Sequence, residues 1–547
     1  MFRLKRSLCY VGLFGVTTVG LLSIRSRSID DIKGNDAFSQ YTRQQMKKYR
    51  FSGMHQPFIT TDQQQLDIFR KHFSQYAYLI PENIETMIDQ HALQTPVQMK
   101  SLSQCPIQLT NVNETTLVVG GAPALVSALH FVKNNSNLIY LNDERRIPIA
   151  YGSAWHLEQD AITEAPTSFR PSTFLINQLT RATVNYQTYK SIEQTGLFPW
   201  RTIDWIGWIQ HPEHWFRALK LAITYQLFVL FDDRQKTLDS IAQQCRANEQ
   251  FFDDLNQQFN QQLLLKGKGS IIIARNQQQI QDVNLLKHQL ENEQRTLKIL
   301  SKEEIIQRYG FLPNGLLFAE KTHDRVLSAN FMKLSQDFIR KHGGQVLDGT
   351  LTTIYTDEQQ SSAIAQYQTQ DGQTKFIQFS RLIMSLGSQP IHKENNKRLF
   401  DVISARGVSI LAHVYVPKGF QLPPVVVCGE TNHVTKLNET PISIQHSNGT
   451  NYDVYLMRLT AGACITPNVS DRTTAFYDGS IAFGLLSAVK QTFTNQILIE
   501  PLSVYGCNRQ VSRNGQIAWI QPFNSVFIQY GAAGGGLTRA PDFVTKS

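Results

Sequence analysis

The residues with the clearest chemical potential form a glycine-rich turn after a short apolar run. Leu117-Val118-Val119 predicts a buried strand, and the turn after it consists of Gly120, Gly121, Ala122, Pro123 and Ala124. Such a turn suits a phosphate, because glycine lets the backbone approach the ligand closely and a helix N-terminus aims N–H groups at the anion. The pattern therefore favours a dinucleotide-binding turn made of these five residues.

The turn departs from the usual G-x-G-x-x-G fingerprint at two positions. Gly120 occupies the first position, but Ala122 replaces the second glycine and Leu125 replaces the third. Ala122 adds a methyl group near the phosphate position, and Leu125 is expected to push the helix and the strand apart. Taken alone, the turn also fits a strand-helix-strand unit that binds nothing.

The elements around the turn complete a βαβ unit. Residues 125–133 predict a helix with one apolar face, and residues 138–141 predict a second strand. In dinucleotide-binding folds an acidic side chain after this strand binds a ribose hydroxyl. Asn142, Asp143 and Glu144 are the candidates for that role.

The rest of the chain predicts helices first and strands later. Residues 168–260 are mainly helical in pattern, 270–274 predict a strand, and 331–342 predict a helix that Gly343-Gly344 ends. Residues 351–385 predict a β-meander that leads into a strand, and strands dominate the remaining C-terminal residues. We therefore expect an α/β domain interleaved in sequence with a mixed, β-rich domain.

Charge and ligand spacing argue against two function classes. The formal net charge is +9, but residues 1–50 hold ten Lys or Arg and three Asp or Glu, so seven of the nine charges lie there. The nearly neutral body predicts no nucleic-acid partner. The histidines of His211-Pro-Glu-His214 lack helical i, i+4 spacing and a third ligand, and none of the six cysteines forms a CxxC pair, so no metal site is predicted.

The N-terminus predicts an anchor or a targeting signal. Basic residues flank an uncharged apolar run at residues 8–24, which as a helix spans about 25 Å against a hydrocarbon layer of about 30 Å. We expect a single-pass membrane anchor. The absence of acidic residues before Asp30 also fits organellar, including mitochondrial, targeting.

The C-terminal third holds an arginine-bearing turn at residues 507–515, a strand at 525–529 and a G-x-x-x-x-G-x-T loop at 531–538. These segments resemble the end of FAD-dependent D-amino-acid dehydrogenases, which belong to the D-amino-acid oxidase and glycine oxidase superfamily. Earlier segments, among them 269–275 and 452–458, resemble the family in the same order. The resemblance covers about residues 115–547.

The resemblance implies a non-covalent FAD, a Rossmann-like FAD-binding domain and a β-rich substrate domain. It implies FAD contacts at the turn and at further positions, which are Asn142, Asp143, Ser153, Gly387, Gly531, Gly535, Gly536, Leu537 and Thr538. The short segment after Thr538 departs from the family, whose members usually continue into a helix.

The family reaction moves a hydride from the substrate Cα to the flavin, so the substrate carboxylate needs a cation, and the fork of an arginine suits it best. We expect Arg509 or Arg458 in this role, with Tyr452 as a hydroxyl partner. Arg406 is a weaker candidate.

The predicted organisation has four parts. Residues 1–29 form the anchor or leader, and 30–112 a helical extension. Residues 113–165, 325–400 and 500–547 form a discontinuous FAD-binding domain, whereas 166–324 and 401–499 form the substrate domain.

The predicted function is FAD-dependent oxidative deamination of a D-amino acid or a related small amine. The electron acceptor is left open between a quinone chain and oxygen. Two alternatives stand beside it. One is an oxygen-using amine oxidase, and the other is a non-catalytic relative that keeps the fold as a binding or structural module.

Overall fold

The computed structural model describes residues 96–110, 114–133, 137–142, 155–157, 201–203, 234–358, 360–369, 371–386, 391–395, 399, 403–428, 432–445, 449, 451–466, 485–486, 488–494, 496–511 and 518–530. At 155–157, 201–203, 234–238, 240–241, 244, 278, 403–408, 432, 461–466, 500–511 and 518–519 it describes the backbone alone.

The described residues form five labelled α-helices, all of which end before residue 342, and strands throughout; residues 485–486 and 488–492 are also helical. The helices are α1 Ala122–Val132, α2 Arg234–Gln258, α3 Gln277–Asn292, α4 Lys302–Tyr309 and α5 Phe331–Lys341. The strands up to the end of the meander are β1 Val97–Lys100, β2 Thr116–Gly120, β3 Leu138–Asn142, β4 Trp155–Leu157, β5 Arg201–Ile203, β6 Ser270–Ala274, β7 Leu297–Leu300, β8 Leu317–Lys321, β9 Arg325–Leu327, β10 Gln345–Asp348, β11 Thr350–Tyr355, β12 Ala363–Gln368 and β13 Thr374–Phe379. The later strands are β14 Arg381–Ser385, β15 Ile391–His392, β16 Ile403–Pro417, β17 Val425–Cys428, β18 Asn432–Lys436, β19 Ile442–Gln445, β20 Asn451–Thr466, β21 Leu498–Val511, β22 Ala518–Phe523 and β23 Val526–Tyr530.

The buried strand β2 lies inside a six-stranded sheet with the order β10-β3-β2-β14-β23-β22. The first five strands are parallel, and β22 pairs antiparallel with β23. The chain runs outward from β2 through β3 to β10, and then returns to the other side of β2 at β14. When the five parallel strands are numbered by their order along the chain, their order in the sheet is 3-2-1-4-5, which is that of a Rossmann sheet. A ligand site is expected where this order reverses.

Apolar layers cover both faces of this sheet. Side chains of α1, α2 and α5 pack on one face, where Val118 and Ile383 join their buried cluster. The alternate residues Leu117 and Leu382 point to the other face, which the antiparallel meander β11-β12-β13 covers. The predicted βαβ unit, the helix α5 and the meander are therefore present, and they pack as the layers of one α/β unit.

Strand β1 corrects part of the predicted helical extension at residues 30–112. Val97–Lys100 pairs in parallel with β11 and β15, so it extends the meander sheet. Val97 and Met99 are buried, whereas Gln98 and Lys100 are half-buried, which is the two-residue period of a strand. Four residues are too few to show that period against a polar background.

The second large sheet has ten strands in the described part of the chain. Its path is β21-β16-β20-β18-β17-β6-β8-β7, and β5 and β19 also pair with β20. β16 pairs antiparallel with β20 and with β21 over nearly its whole length. Because β21 spans Leu498–Val511, the predicted boundary at residue 500 falls inside a strand of this sheet.

The two faces of the ten-stranded sheet have different neighbours. Ile410 and Met457 point to a cluster that also holds Ile305 of α4. Leu411 and Leu456 point the other way and pack against Val326 of β9. The next residue, Leu327, belongs to the cluster of α1 and α5, so this second face is turned toward the six-stranded sheet. We call it the inner face.

A buried ion pair fixes the turn that joins β8 to β9. Lys321 Nζ lies 2.9 Å from Asp324 Oδ2, and both side chains are almost completely buried. Ser270 Oγ donates to the same carboxylate oxygen at 2.5 Å. The turn therefore ties β9, which packs on the inner face, to the end of β8 and the start of β6.

No helix within the described ranges is long and apolar enough to cross a membrane. The predicted anchor at residues 8–24 lies outside those ranges. The anchor and the targeting alternative remain predictions.

Candidate functional site

The glycine-rich turn lies at the carboxyl end of β2, next to the carboxyl end of β14. Gly120 has φ +136°, and a Cβ added to it would lie 2.2 Å from the carbonyl oxygen of Ser385. A side chain at residue 120 would therefore meet both backbone strain and a rigid neighbour. Glycine is required here because two strands converge at the point where the sheet order reverses.

Helix α1 begins immediately after the turn. Gly121 is its N-cap, Pro123 occupies the first turn, and the Leu125 N–H donates to the Gly121 carbonyl at 2.9 Å. Proline lacks an N–H, so Ala122 and Ala124 supply the backbone donors of the first turn. The helix directs these donors and its positive dipole end toward the switch point, where they suit an anion such as a phosphate.

A buried hydroxyl fixes the position of the turn. The Tyr140 hydroxyl in β3 donates to the Gly120 carbonyl at 2.8 Å. Tyr140 is fully buried, as is Leu125, and Leu125 packs in the same cluster as Val118 and Ile383. Leu125 thus occupies the contact between the helix and the sheet, where the usual third glycine allows the two to pack more closely.

Polar residues line the carboxyl edge of the parallel sheet in one row. The backbone register aligns Ser385, Gly120, Asn142 and Asp348 across β14, β2, β3 and β10. Gln529 of β23 comes one residue after the pair Met384–Ile528 and so extends the row beyond Ser385. These positions alternate with residues that face the meander, so the row faces the side of the sheet that α1 covers. We call it the edge row.

One end of the edge row is a hydrogen-bonded pair. Asn142 Nδ2 donates to Asp348 Oδ1 at 2.9 Å, and the Gly349 N–H donates to the Asn142 carbonyl at 3.1 Å. The predicted ribose position at Asn142 therefore comes with a carboxylate from the neighbouring strand. A carboxylate held in this way can accept hydrogen bonds from ribose hydroxyls.

The other end of the edge row is a buried amide. Gln529 is 5% exposed, and its Nε2 has no hydrogen-bond partner among the described residues. The next residue, Tyr530, is half-buried, and burial raises the pKa of its hydroxyl. The edge row thus offers a phosphate-binding helix end at its centre, a carboxylate on one side and an unused N–H donor on the other. This donor set fits a dinucleotide.

Several predicted FAD contacts lie outside the described residues. They are Asp143, Ser153, Gly387, Gly531, Gly535, Gly536, Leu537 and Thr538. Gly120, Gly121, Ala122, Pro123, Ala124 and Asn142 lie together at the switch point. The predicted contacts that the structure describes, which are the five turn residues and Asn142, thus lie at the carboxyl edge of the parallel sheet.

Arg458 lies on the inner face of the ten-stranded sheet. Its Nε and Nη2 donate to Ser409 Oγ in the neighbouring strand at 3.2 and 3.1 Å. Arg458 is half-buried, and Thr435 of β18 pairs with it across the sheet. In the next row Thr460 lies between Ser409 and His433. This part of the inner face is polar, with an arginine fork oriented by a serine hydroxyl.

Tyr452 is not close enough to Arg458 to share a small substrate with it. The two residues are six positions apart in β20, or about 20 Å at roughly 3.3 Å per residue. Tyr452 is 6% exposed and packs edge-on against Tyr415 in the apolar part of the inner face. Its position is that of a core tyrosine.

Arg509 is also distant from Arg458. Arg509 pairs with Ala405, whereas Arg458 pairs with Leu411 of the same strand β16. Six residues separate the two positions, again about 20 Å along the strand. The backbone alone is described for Arg509 and Arg406, so their roles stay predictions.

Three polar residues of the edge row were missed as site residues from the sequence: Ser385, Asp348 and Gln529. Each ends a strand of the parallel sheet or lies one residue from its end, and ligands bind at the carboxyl ends of such strands. A search for polar residues at the last position of every predicted strand would have found Asp348, which precedes Gly349. It could not have placed Gln529 beside Ser385.

No protein-family model matches the sequence, and no curated protein matches it significantly. Solved structures with a weak likeness include three oxidases. Glycine oxidase from Geobacillus kaustophilus has 13% identity and a TM-score of 0.46, with 79% of this chain and 92% of that chain covered. Iminodiacetate oxidase from Chelativorans sp. BNC1 has 11% identity and a TM-score of 0.44, with 79% and 93% covered. Fructosamine oxidase (Amadoriase II) from Aspergillus fumigatus has 11% identity and a TM-score of 0.48, with 80% and 86% covered.

Proposed function

We propose that the chain is an FAD-dependent oxidoreductase that oxidises an amino acid or a related small amine. The observation that carries the proposal is the edge row, where a helix N-terminus, a carboxylate and an amide donor meet at the switch point of a parallel sheet. An iminodiacetate oxidase and a glycine oxidase are among the similar solved structures, and their names agree with oxidation of an amine or an amino acid.

The edge row gives each part of the dinucleotide a partner. Backbone N–H groups of Ala122 and Ala124 would bind the pyrophosphate, and Gly120 lets it approach the sheet. Asp348, oriented by Asn142, would accept hydrogen bonds from the adenosine ribose. When bound, FAD would supply the hydride acceptor that no protein side chain provides.

Arg458 is the residue that we propose for the substrate carboxylate. Its guanidinium lies on the face turned toward the six-stranded sheet, and Ser409 holds it through two of its N–H groups. A fixed fork loses little freedom when it binds a carboxylate. The apolar cluster beside it, with Leu411 and Leu456, would exclude water from one side of the substrate.

The finer assignment comes from the sequence resemblance. We propose a D-amino acid as substrate and an N-terminal membrane anchor. We also propose an FAD-binding domain of residues 113–165, 325–400 and 512–547, because β21 is reassigned to the substrate domain. Stoichiometric hydrogen peroxide in air would identify oxygen as the acceptor. Transfer of electrons to a soluble quinone without peroxide would identify a dehydrogenase.

Anaerobic flavin bleaching tests the catalytic proposal. The FAD-saturated chain is mixed without oxygen with D-alanine, L-alanine, D-proline, glycine and sarcosine, and absorbance near the visible flavin maximum is monitored. We expect at least one D-amino acid to bleach the flavin and Arg458→Met to slow that reduction. Bound FAD that no compound of the panel reduces would contradict oxidation of amino acids.

A non-catalytic binding module is the second candidate function. Ala122 and Leu125 favour it, because they replace two glycines of the usual fingerprint and are both buried. A folded chain that binds ADP but does not retain FAD would support this alternative.

A further inference from the structure

Gln529 lies on the opposite side of the phosphate-binding turn from Asp348. From Gly120 the edge row runs through Asn142 to Asp348 in one direction and through Ser385 to Gln529 in the other. Each arm crosses two strand spacings, which is about 10 Å. A dinucleotide whose pyrophosphate lies at Gly120 would therefore extend one half over each arm.

The Gln529 side chain carries a buried donor that is unused within the described part of the chain. Its Nε2 is inaccessible to solvent and has no acceptor among the described residues. Burial of an amide N–H without a partner opposes folding, so such groups are rare in native proteins. An acceptor supplied by a ligand would satisfy this donor.

A buried hydroxyl beside the same strand provides a comparison. Ser525 is 1% exposed and its Oγ also lacks a partner among the described residues. It precedes the first residue of β23, four residues before Gln529 and so about 13 Å from the carboxyl edge. A ligand at the edge row would reach Gln529 and would not reach Ser525.

We propose that the Gln529 amide binds the flavin-bearing half of FAD, as a donor to an oxygen of the ribityl chain or of the ring. The inference rests on the proposed function, since it takes FAD as the ligand. Asp348 and Asn142 hold the adenosine side, so the arm that ends at Gln529 is left for the other half. Gln529 is thereby a cofactor-binding residue that positions the flavin relative to the parallel sheet.

The test compares two ligands and two variants. Dissociation constants for FAD, by flavin fluorescence, and for ADP, by calorimetry, are measured on the full chain as wild type, Gln529→Leu and Ser525→Ala. ADP contains the adenosine and pyrophosphate but no flavin half. The melting temperature of each ligand-free protein is measured as well.

We expect Gln529→Leu to raise the dissociation constant for FAD about ten-fold, the loss of one hydrogen bond to the ligand. Its affinity for ADP stays within about two-fold of wild type, because ADP does not reach this arm. The ligand-free variant melts at the same temperature as wild type or higher, because leucine removes an unsatisfied polar group. Ser525→Ala leaves both affinities unchanged.

Two results would overturn the inference without touching the proposed function. One is a Gln529→Leu variant that binds FAD as tightly as the wild type does. The other is a Gln529→Leu variant that loses affinity for FAD and for ADP equally and also melts at a lower temperature, which would indicate a structural role. If the wild-type chain binds ADP but no FAD, the proposed function itself fails.

Discussion

The six-stranded sheet and the inner face of the ten-stranded sheet bring polar residues together in different ways. At the edge row, five parallel strands end at one level, so their last residues meet whatever their separation in sequence. In the ten-stranded sheet, Arg458, Tyr452 and Arg509 lie on long antiparallel strands, and register decides their separation. Strand ends therefore concentrate polar groups, whereas long strands distribute them.

The two regions also differ in how their positions are fixed. The turn at Gly120 is fixed by backbone contact with Ser385 and by the Tyr140 hydroxyl. Beside the inner face, the turn between β8 and β9 is fixed by the buried pair Lys321 and Asp324. Substitutions that act on one region alone will show whether binding of the cofactor and binding of the substrate can be separated.

Gly120→Ala should give the largest effect. Strain at φ +136° costs about 1–3 kcal/mol, and overpacking against a backbone carbonyl costs about 1–3 kcal/mol or more, so we expect a loss near 5 kcal/mol. Chemical denaturation measures the loss. Gly343→Ala is the control, because Gly343 has φ +84° with no atom within 4 Å of the added Cβ, and it should lose only about 1–2 kcal/mol. Equal losses would show that Ser385 does not constrain the turn.

Asp324→Asn should destabilise the protein by about 3–5 kcal/mol, because it leaves the buried Lys321 ammonium without its counterion. The double variant Lys321→Met, Asp324→Leu should recover most of that loss. Denaturation in urea measures all three proteins. A double variant no more stable than Asp324→Asn would show that the hydrogen bond from Ser270, rather than the charge pair, fixes the turn.

Arg458→Met should lower kcat/KM for an amino acid about 100-fold, through the loss of charge-assisted hydrogen bonds to the carboxylate. Its affinity for FAD should not change. Steady-state kinetics with the substrate found by flavin bleaching measure the effect. Arg340→Met is the control, because Arg340 is an exposed arginine paired with Asp337 on α5. An unchanged kcat/KM for Arg458→Met would assign the carboxylate to another residue, with Arg509 next in order.

Asp348→Asn should give the smallest effect, about a ten-fold weaker binding of FAD and of ADP alike, because ribose hydroxyls lose a charged acceptor. Asp371→Asn is the control, since Asp371 is an exposed acid in the turn of the meander. Fluorescence and calorimetric titrations measure both variants. Weaker binding of FAD with unchanged binding of ADP would place the adenosine elsewhere.

Local patterns predicted the elements of the six-stranded sheet better than the contacts of the inner face. The apolar run before Gly120, the helix ended by Gly343 and the meander could be predicted, because each has a short-range signature. Asp348 and Gln529 could not be placed beside Gly120, because parallel pairing joins β3 to β10 and β14 to β23, whose paired residues lie about 200 and about 140 positions apart in sequence. Tyr452 and Arg458 were assigned to one site because a sequence motif shows their order but not the roughly 20 Å between them.

Titration of the purified, ligand-free chain with FAD tests the central claim most directly. If the edge row binds a dinucleotide, flavin fluorescence will change to saturation at one FAD per chain, and ADP will compete for the same site. A chain that circular dichroism shows to be folded, but that binds neither FAD nor ADP in a saturable way, would contradict the claim.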